Sequence, residues 1–556
     1  MAFVATRLTL LLAILSGWEA RAFVAPSLSA KKLPFRLLPA SIRPPAGPIT
    51  SYIGHESRSA PLSALSSSTS AENGANELRD GDSSDVLKAS VCVGAVTAMM
   101  GYLYGKVLSR CLGAVWTTLP ALLSERLGGA TLSPVWFITS TMTLGGILIG
   151  IISSRIKGAY TVADFVSAFS SVSAEARRLP QSRASLPPLL ALSLLTSVFG
   201  FSLGPEAPMV CAGGIVGTSI SRRWFGDPDS SPRAAGAAEA LAYAGAAGTL
   251  TAFMGIPIAG SVFALEMTRE SSGMNKGARG AWSPAVAASV AALALLRVVL
   301  EPSGAVGGHF SYGSVGALGG RAMMIAALIC GVGGAAIGTV FHKAVAVLKR
   351  ILWTIPKKSK AVENEWRRTV AIKGLIGLLV GILSSYYPQT LFWGEGSLQC
   401  AIDGQLTPFS ATKHGLSSLL TSAAAINPSV PFATAGAAAK VGLAKLIAIM
   451  LACAAKLPGG IIFPLFFAAA PFAHAIALVM PTIIPATLVP VIVICLMAST
   501  QASVTRTPLA SALILTLTAS AATELSVMLP PCLVASYVGV WTSQLFSGKS
   551  YFKYSE

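Results

Sequence analysis

The sequence predicts an all-α, polytopic membrane protein, and its composition and apolar runs carry that prediction. Hydrophobic residues make up 53% of the 556-residue chain and charged residues only 12%, with a mean hydropathy of +0.67. Soluble globular proteins carry about 25% charged residues. Many apolar runs approach the roughly 20 residues that a helix needs to cross a bilayer. The first two runs, at 86–105 and 112–123, are predicted as separate stretches.

Glycine and proline break several of these runs, and the breaks recur in the same order in both halves of the predicted membrane core. In the first half, the break GPEAP (204–208) precedes a helix opened by Pro257. In the second half, the break GGIIFP (459–464) precedes a helix opened by Pro508. Broken helices in duplicated halves are typical of transporters with inverted repeats. The sequence therefore predicts duplicated halves, and if the halves are inverted, their broken helices meet at the membrane midplane.

Composition divides the chain into a leader, two halves of a membrane core and a charged connection between them. Residues 1–22 have the basic residue, apolar run and small residues of a signal peptide. Residues 23–85 have the composition of a transit peptide followed by a disordered linker. The two halves are predicted at 86–350 and 369–556, joined by a connecting segment at 351–368. No C-terminal soluble regulatory domain is expected.

The charges and the metal-ligating residue types argue against several classes of protein. The net charge is +18, but the basic residues are scattered or lie in the N-terminal tail, so nucleic-acid binding is not indicated. The eight cysteines show no CxxC spacing and the five histidines no HExxH pattern, so neither a metal site nor a cofactor is predicted. No nucleophile–base pair or phosphate-binding loop indicates an enzyme. The expected partners are small anions and membrane lipids.

Glu206 is the candidate functional residue of the first break. Gly204 and Pro205 end an apolar run, and Pro208 suits the first turn of a new helix. Glu206 is therefore expected beside free N–H groups and the positive end of a helix dipole, in a membrane environment. An ionisable residue in such a place is a functional candidate, and the alternative is a structural acid that caps the helix.

These motifs resemble those of the CLC family of chloride channels and proton/chloride exchangers. The break at 204–208 is similar to the family's Gly-Arg/Lys-Glu-Gly-Pro motif, and the break at 459–464 to its Gly-Gly-Ile-Phe-x-Pro motif. The stretch 244–268 is similar to the family's intervening helix and ends in a glutamate. The resemblance implies an inverted-repeat fold that forms a homodimer with one pore per subunit.

The resemblance also implies roles for individual residues. Glu206 would be the gating glutamate, whose carboxylate competes with the permeating anion until protonation moves it away. Backbone N–H groups would hold the anion, because a full positive charge would trap an ion that must leave. The implied anion-binding positions are Gly204, Pro205, Glu206, Ala207, Pro208, Gly459, Gly460, Ile461, Ile462, Phe463, Pro464 and Phe552.

The sequence departs from the family pattern at three places. Met267 follows Glu266 at the position where exchangers carry a second acid that passes protons. The absence of this acid favours a passive anion channel gated by a glutamate in the pore. The family's first anion motif is not present as such, and its candidate position is Lys157 and Gly158. Phe552 takes the place of the family's pore-facing tyrosine. The alternatives are a proton-coupled chloride or nitrate antiporter and a non-transporting membrane subunit.

The leader resembles the bipartite targeting sequence of plastid proteins in algae with secondary plastids. Residues 21–26 (RAFVAP) place a phenylalanine after the signal cleavage position, within a motif similar to Ala-Phe-Ala-Pro. The resemblance implies a multi-pass protein of a plastid membrane, either thylakoid or envelope. The alternative is an ordinary secretory signal followed by a disordered tail.

Overall fold

Helices form nearly all of the structure. The computed structural model describes residues 80–127, 133–156, 185–268, 280–301, 310–312, 319–354, 365–406, 430–519, 525–546 and 551. Within this part of the chain, eight helices are long and apolar enough to cross a membrane. The prediction of an all-α polytopic membrane protein is therefore confirmed. The predicted signal peptide and residues 23–79 of the predicted transit peptide and linker lie outside the described residues. Residues 80–85, predicted as the end of the disordered linker, instead form the start of a helix that begins at Asp80.

Eight α-helices are described between residues 80 and 301. They are α1 (Asp80–Gly113), α2 (Leu119–Arg126), α3 (Pro134–Arg155), α4 (Leu186–Val198), α5 (Glu206–Phe225), α6 (Pro232–Met254), α7 (Pro257–Glu266) and α8 (Trp282–Leu295). The proline expected to open a helix, Pro257, is the first residue of α7.

The chain continues with further helices and one short pair of strands. The helices are α9 (Gly320–Trp353), α10 (Glu365–Tyr386), α11 (Leu398–Ile402), α12 (Ala435–Ala454), α13 (Ile462–Val479), α14 (Val489–Thr505), α15 (Pro508–Leu517) and α16 (Leu525–Gln544). Strands β1 (Gln405–Leu406) and β2 (Val430–Pro431) pair antiparallel. Helices α9 and α10 extend into the predicted connecting segment from its two ends.

The two halves repeat one order of elements. In each half, a glycine-containing break leads into a long helix, a second long helix follows, and then comes a ten-residue helix opened by proline. The corresponding short helices, α7 and α15, contact each other. This repetition agrees with the predicted inverted-repeat core.

Small residues let the helices approach closely. A Cβ atom on Gly217 of α5 would overlap the backbone of Leu241 in α6, and one on Gly338 of α9 would overlap the Ser503 side chain in α14. The Ser503 hydroxyl donates to the Gly334 carbonyl oxygen at 3.1 Å. Because lipid tails are as apolar as leucine, close packing of this kind is the main attraction between membrane helices.

The first two apolar stretches are not separate, which differs from the sequence prediction. Helix α1, a five-residue π-helical turn (Ala114–Thr118) and α2 run on without interruption. Lys106 interrupts the apolar pattern but not the helix, because a charged side chain leaves the helix's backbone hydrogen bonds in place. Its exposed ammonium group pairs with Glu301 at 3.3 Å. Lysine is also a good helix former, so a charge at the surface does not end a helix.

Candidate functional site

The two predicted breaks pair with each other at the centre of the core. The N–H group of Gly204 donates to the carbonyl oxygen of Gly460 at 2.9 Å, and the N–H group of Gly460 donates to the carbonyl oxygen of Gly204. Helix α5 begins at Glu206 and α13 begins at Ile462, each two residues beyond its glycine. The bridge therefore brings two helix N-termini to one place.

The carboxylate of Glu206 lies across this glycine bridge. Glu206 is fully buried. A Cβ atom on either Gly204 or Gly460 would overlap the carboxylate oxygens. Both positions thus require a residue without a side chain, and the two glycines form a cradle that the carboxylate fills.

Weak contacts hold the carboxylate in the cradle. The backbone N–H groups of Glu206 and Phe463 act on it electrostatically. Neither carboxylate oxygen has a partner in normal hydrogen-bond geometry among the described residues, so Glu206 does not cap the helix in the usual way. Each helix N-terminus contributes the equivalent of about half a positive charge. A buried carboxylate without strong hydrogen bonds is costly, and the two helix N-termini offset part of that cost.

The other residues of the two predicted motifs surround the cradle. Pro205 is the N-cap residue of α5 and Ile461 that of α13. Pro208 and Pro464 lie in the first turns of these helices, where a missing N–H group costs nothing. The buried ring of Phe463 packs against Phe466 at a centroid distance of 6.2 Å. The structure thus brings both motifs together around one carboxylate.

Glu266, at the end of α7, joins the two halves of the core. Its carboxylate accepts hydrogen bonds from the N–H groups of Leu509, at 3.3 Å, and Ala510, at 2.8 Å, in the first turn of α15. These N–H groups have no partner within their own helix. Glu266 therefore caps the corresponding helix of the opposite half, a role that the sequence alone did not indicate. Met267 beside it is buried.

Replacing Glu266 with alanine is expected to destabilise the protein, because the first N–H groups of α15 lose their acceptor. Loss of a capping group costs about 1–2 kcal/mol. For a domain of moderate size this corresponds to a fall in melting temperature of about 2–4 °C per kcal/mol. Thermal unfolding in detergent checks the result. Glu266→Gln keeps an acceptor oxygen and should lie closer to the wild type; equal melting temperatures for all three proteins would contradict the capping role.

Three predicted site residues lie outside the described part of the chain. They are Lys157 and Gly158, from the candidate first anion motif, and Phe552. Tyr551, the neighbour of Phe552, is described. The Tyr551 ring packs against the Phe341 ring at a centroid distance of 5.8 Å, and the Tyr551 hydroxyl group contacts the Cys453 thiol.

The geometry defines a membrane protein in which two helices begin beside one buried carboxylate, at a glycine bridge that joins two broken segments. The chain matches the family model described as "Voltage gated chloride channel" over residues 145–544. The protein therefore belongs to this family, the CLC family of anion channels and transporters.

Solved structures and a bacterial relative agree with this assignment. A slow cyanobacterial Cl⁻/H⁺ antiporter has 16% sequence identity and a TM-score of 0.62, covering 84% of this chain and 96% of that one. A eukaryotic CLC transporter also has 16% identity, with a TM-score of 0.60, covering 84% of this chain and 73% of the other. The Escherichia coli ion-transport protein YfeO, which carries that name provisionally, is 25% identical over 384 residues, or 68% of this chain and 75% of YfeO.

Proposed function

We propose that this protein is a passive anion channel of the CLC type, with chloride as the expected ion and Glu206 as the gate. The observation that carries the proposal is the Glu206 carboxylate lying across Gly204 and Gly460, between the first turns of α5 and α13. A small anion in this cradle would face the same backbone N–H groups. The carboxylate and the anion therefore compete for one place.

Protonation provides the opening step. The ionised carboxylate is attracted to the two helix N-termini, whereas the neutral acid is not. Adding a proton weakens this attraction and lets an anion displace the side chain. Backbone dipoles suit conduction because they attract an anion without the full charge that would hold it in place. Gly204, Pro205, Glu206, Ala207 and Pro208 would form one wall of the site, and residues 459–464 the other.

The residues at the end of α7 favour channel activity over proton exchange. Met267 carries no exchangeable proton, and both carboxylate oxygens of Glu266 are engaged by α15. A proton-coupled antiporter is the second candidate, since two of the similar solved structures are a Cl⁻/H⁺ antiporter and a CLC-type fluoride/proton antiporter. Sequence identities of 16% support a shared fold and do not decide between the two activities.

Coupled flux measurements separate the candidates. Purified protein in liposomes loaded with chloride should release chloride rapidly without moving protons against their gradient. External chloride and external pH are followed in the same sample. Glu206→Ala serves as the control, because it removes the gate in a channel and the proton carrier in an antiporter.

The contrary outcomes are distinct. Uphill proton movement driven by the chloride gradient, lost in Glu206→Ala, would replace the channel with an antiporter. No flux of any tested anion in either protein would favour the non-transporting membrane subunit. Nitrate is tested beside chloride, because the family's usual first anion motif is not present as such and its candidate position is Lys157 and Gly158.

A homodimer and a plastid location are also part of the proposal. The homodimer, with one pore per subunit, is supported by the resemblance to CLC proteins. The plastid membrane is supported by the leader in residues 1–85, with its RAFVAP sequence at 21–26.

A further inference from the structure

Lys445 is a charged residue fully buried in a membrane-spanning helix. It lies in the middle of α12, within an otherwise apolar stretch, and none of its side chain is exposed. Among the described residues, no acidic side chain forms an ion pair with it. A buried charge is costly unless its hydrogen-bonding capacity is filled. A lysine at such a position is a functional candidate, and the proposed function gives it no role.

Backbone carbonyl groups of a single loop satisfy this lysine. The Lys445 ammonium group donates to the carbonyl oxygens of Thr390, Leu391 and Phe392, at 3.3, 3.4 and 2.8 Å. An ammonium group has three N–H donors, so these three acceptors fill its capacity. The ammonium group also lies over the Phe467 ring, 5.1 Å from its centroid. Lys445 therefore fixes the loop that follows α10 to the interior of the second half.

The same loop is fastened to the segment that leads into the candidate anion site. The Ser202 hydroxyl donates to the Thr390 carbonyl oxygen, which also accepts from Lys445. The N–H group of Phe392 donates to the Gly200 carbonyl oxygen at 2.9 Å. Both Gly200 and Phe392 have positive φ angles, of 84° and 58°, so the backbone on both sides of this contact is in a left-handed conformation. For the non-glycine residue this conformation is costly and needs support from its surroundings.

The fastened segment ends at the cradle itself. Ser202 is two residues before Gly204, whose backbone pairs with Gly460 and whose missing side chain makes room for the Glu206 carboxylate. A shift of the 200–204 backbone would therefore change the width of the site. A continuous chain of contacts runs from Lys445 through the Thr390 carbonyl group and Ser202 to Gly204.

We infer that Lys445 is a positioning residue of the anion site, which holds the 200–204 segment in place through the loop at 390–392. This inference rests on the proposed function, because it assigns the residue to the same site. Lys445 sets the geometry of the cradle and so the affinity for a small anion, without touching the anion. Charge-assisted hydrogen bonds suit this task, since they are about twice as strong as neutral ones.

Chloride affinity of the full-length protein in detergent tests the inference. Isothermal titration calorimetry with chloride, in a buffer whose bulk anion is the large isethionate ion, gives the dissociation constant of each variant. Lys445→Met keeps the length of the side chain and removes its donors, and we expect chloride binding to weaken by about 10-fold. Ser202→Ala breaks the same chain of contacts from the other side and should weaken binding by a smaller factor.

The double variant distinguishes a shared path from two separate structural effects. If both residues act through the Thr390 carbonyl group, Ser202→Ala should add little to Lys445→Met, whereas independent effects would multiply. The matched control is Lys373→Met: Lys373 is another buried lysine of a spanning helix, and it donates to Ser153 rather than to this loop. This control should leave the chloride dissociation constant within about two-fold of the wild type, even if its melting temperature falls.

Each outcome decides the question. Wild-type chloride affinity in folded Lys445→Met, or losses that multiply in the double variant, would overturn the inference. If Lys445→Met does not fold, Ser202→Ala decides alone, and unchanged affinity in that variant counts against the inference. If the wild-type protein itself binds no chloride, the proposed anion site fails, and the assignment of Lys445 fails with it.

Discussion

Replacing Glu206 with glutamine is expected to abolish the dependence of anion flux on pH. Glutamine resembles the protonated acid: it is neutral and nearly the same size, so the two helix N-termini no longer attract it into the cradle. Flux of the wild-type protein should rise as the pH falls, because protonation frees the site. Flux of Glu206→Gln should be high and flat from about pH 5 to about pH 8.5, exceeding the wild type by about 10-fold at the alkaline end.

The control for this prediction is Glu395→Gln, which changes an acid whose charge acts on Glu206. Glu395 influences the Glu206 carboxylate electrostatically and accepts a hydrogen bond from the Trp393 indole N–H at 2.9 Å. Because its side chain does not fill the cradle, Glu395→Gln should keep a pH-dependent flux. Proteoliposome efflux across a series of pH values measures both variants. A pH profile for Glu206→Gln that matches the wild type would show that another group is the gate.

Replacing Gly460 with alanine is expected to reduce anion flux by about 10- to 100-fold, since small displacements in a tightly fitted site have effects of this size. The new Cβ atom would overlap the Glu206 carboxylate and lie 3.0 Å from the backbone nitrogen of Ala207. It would occupy part of the space that an anion needs and disturb the bridge to Gly204. Overpacking of this kind also costs about 1–3 kcal/mol of stability.

Flux measured on equal amounts of folded protein separates these two effects. The matched control is Gly436→Ala near the start of α12, where the nearest atom to a new Cβ is the Thr434 hydroxyl oxygen at 3.9 Å. This control should transport as the wild type does. The double variant Glu206→Ala/Gly460→Ala removes the carboxylate that the new Cβ atom overlaps. If its flux is still low, the loss comes from the narrowed backbone cradle and not from the displaced Glu206 side chain. Wild-type flux in Gly460→Ala would mean that the anion passes elsewhere.

Features set by neighbouring residues were predictable from the sequence. Pro257 and Pro508 each begin a short helix, and Glu206 begins α5 directly after the Gly204–Pro205 break. These outcomes depend on the fixed φ angle of proline and on its missing N–H group, which act within one turn of the chain. The long apolar runs likewise require helices in a bilayer, because every backbone polar group must be satisfied within its own segment.

The join between the first two apolar runs shows the limit of such local reasoning. Lys106 and Arg110 lower the local hydropathy, yet the helix continues through both. Hydropathy describes the preference of a side chain for water or lipid. Continuation of a helix depends instead on backbone hydrogen bonds, which a charged side chain does not break. The exposed pair of Lys106 and Glu301 joins residues far apart in the sequence, so only the packed structure reveals it.

By itself, the sequence determined that this is an all-α membrane protein with two broken, repeated halves and a glutamate at the first break. Only the tertiary structure decided that Gly204 pairs with Gly460, that Glu266 caps α15, and that Lys445 holds the loop fastened to Ser202. The physical reason is that helix starts and breaks follow from the conformational limits of single residues. Contacts between distant segments depend on which helices pack together, and that is settled by the shape of the whole core.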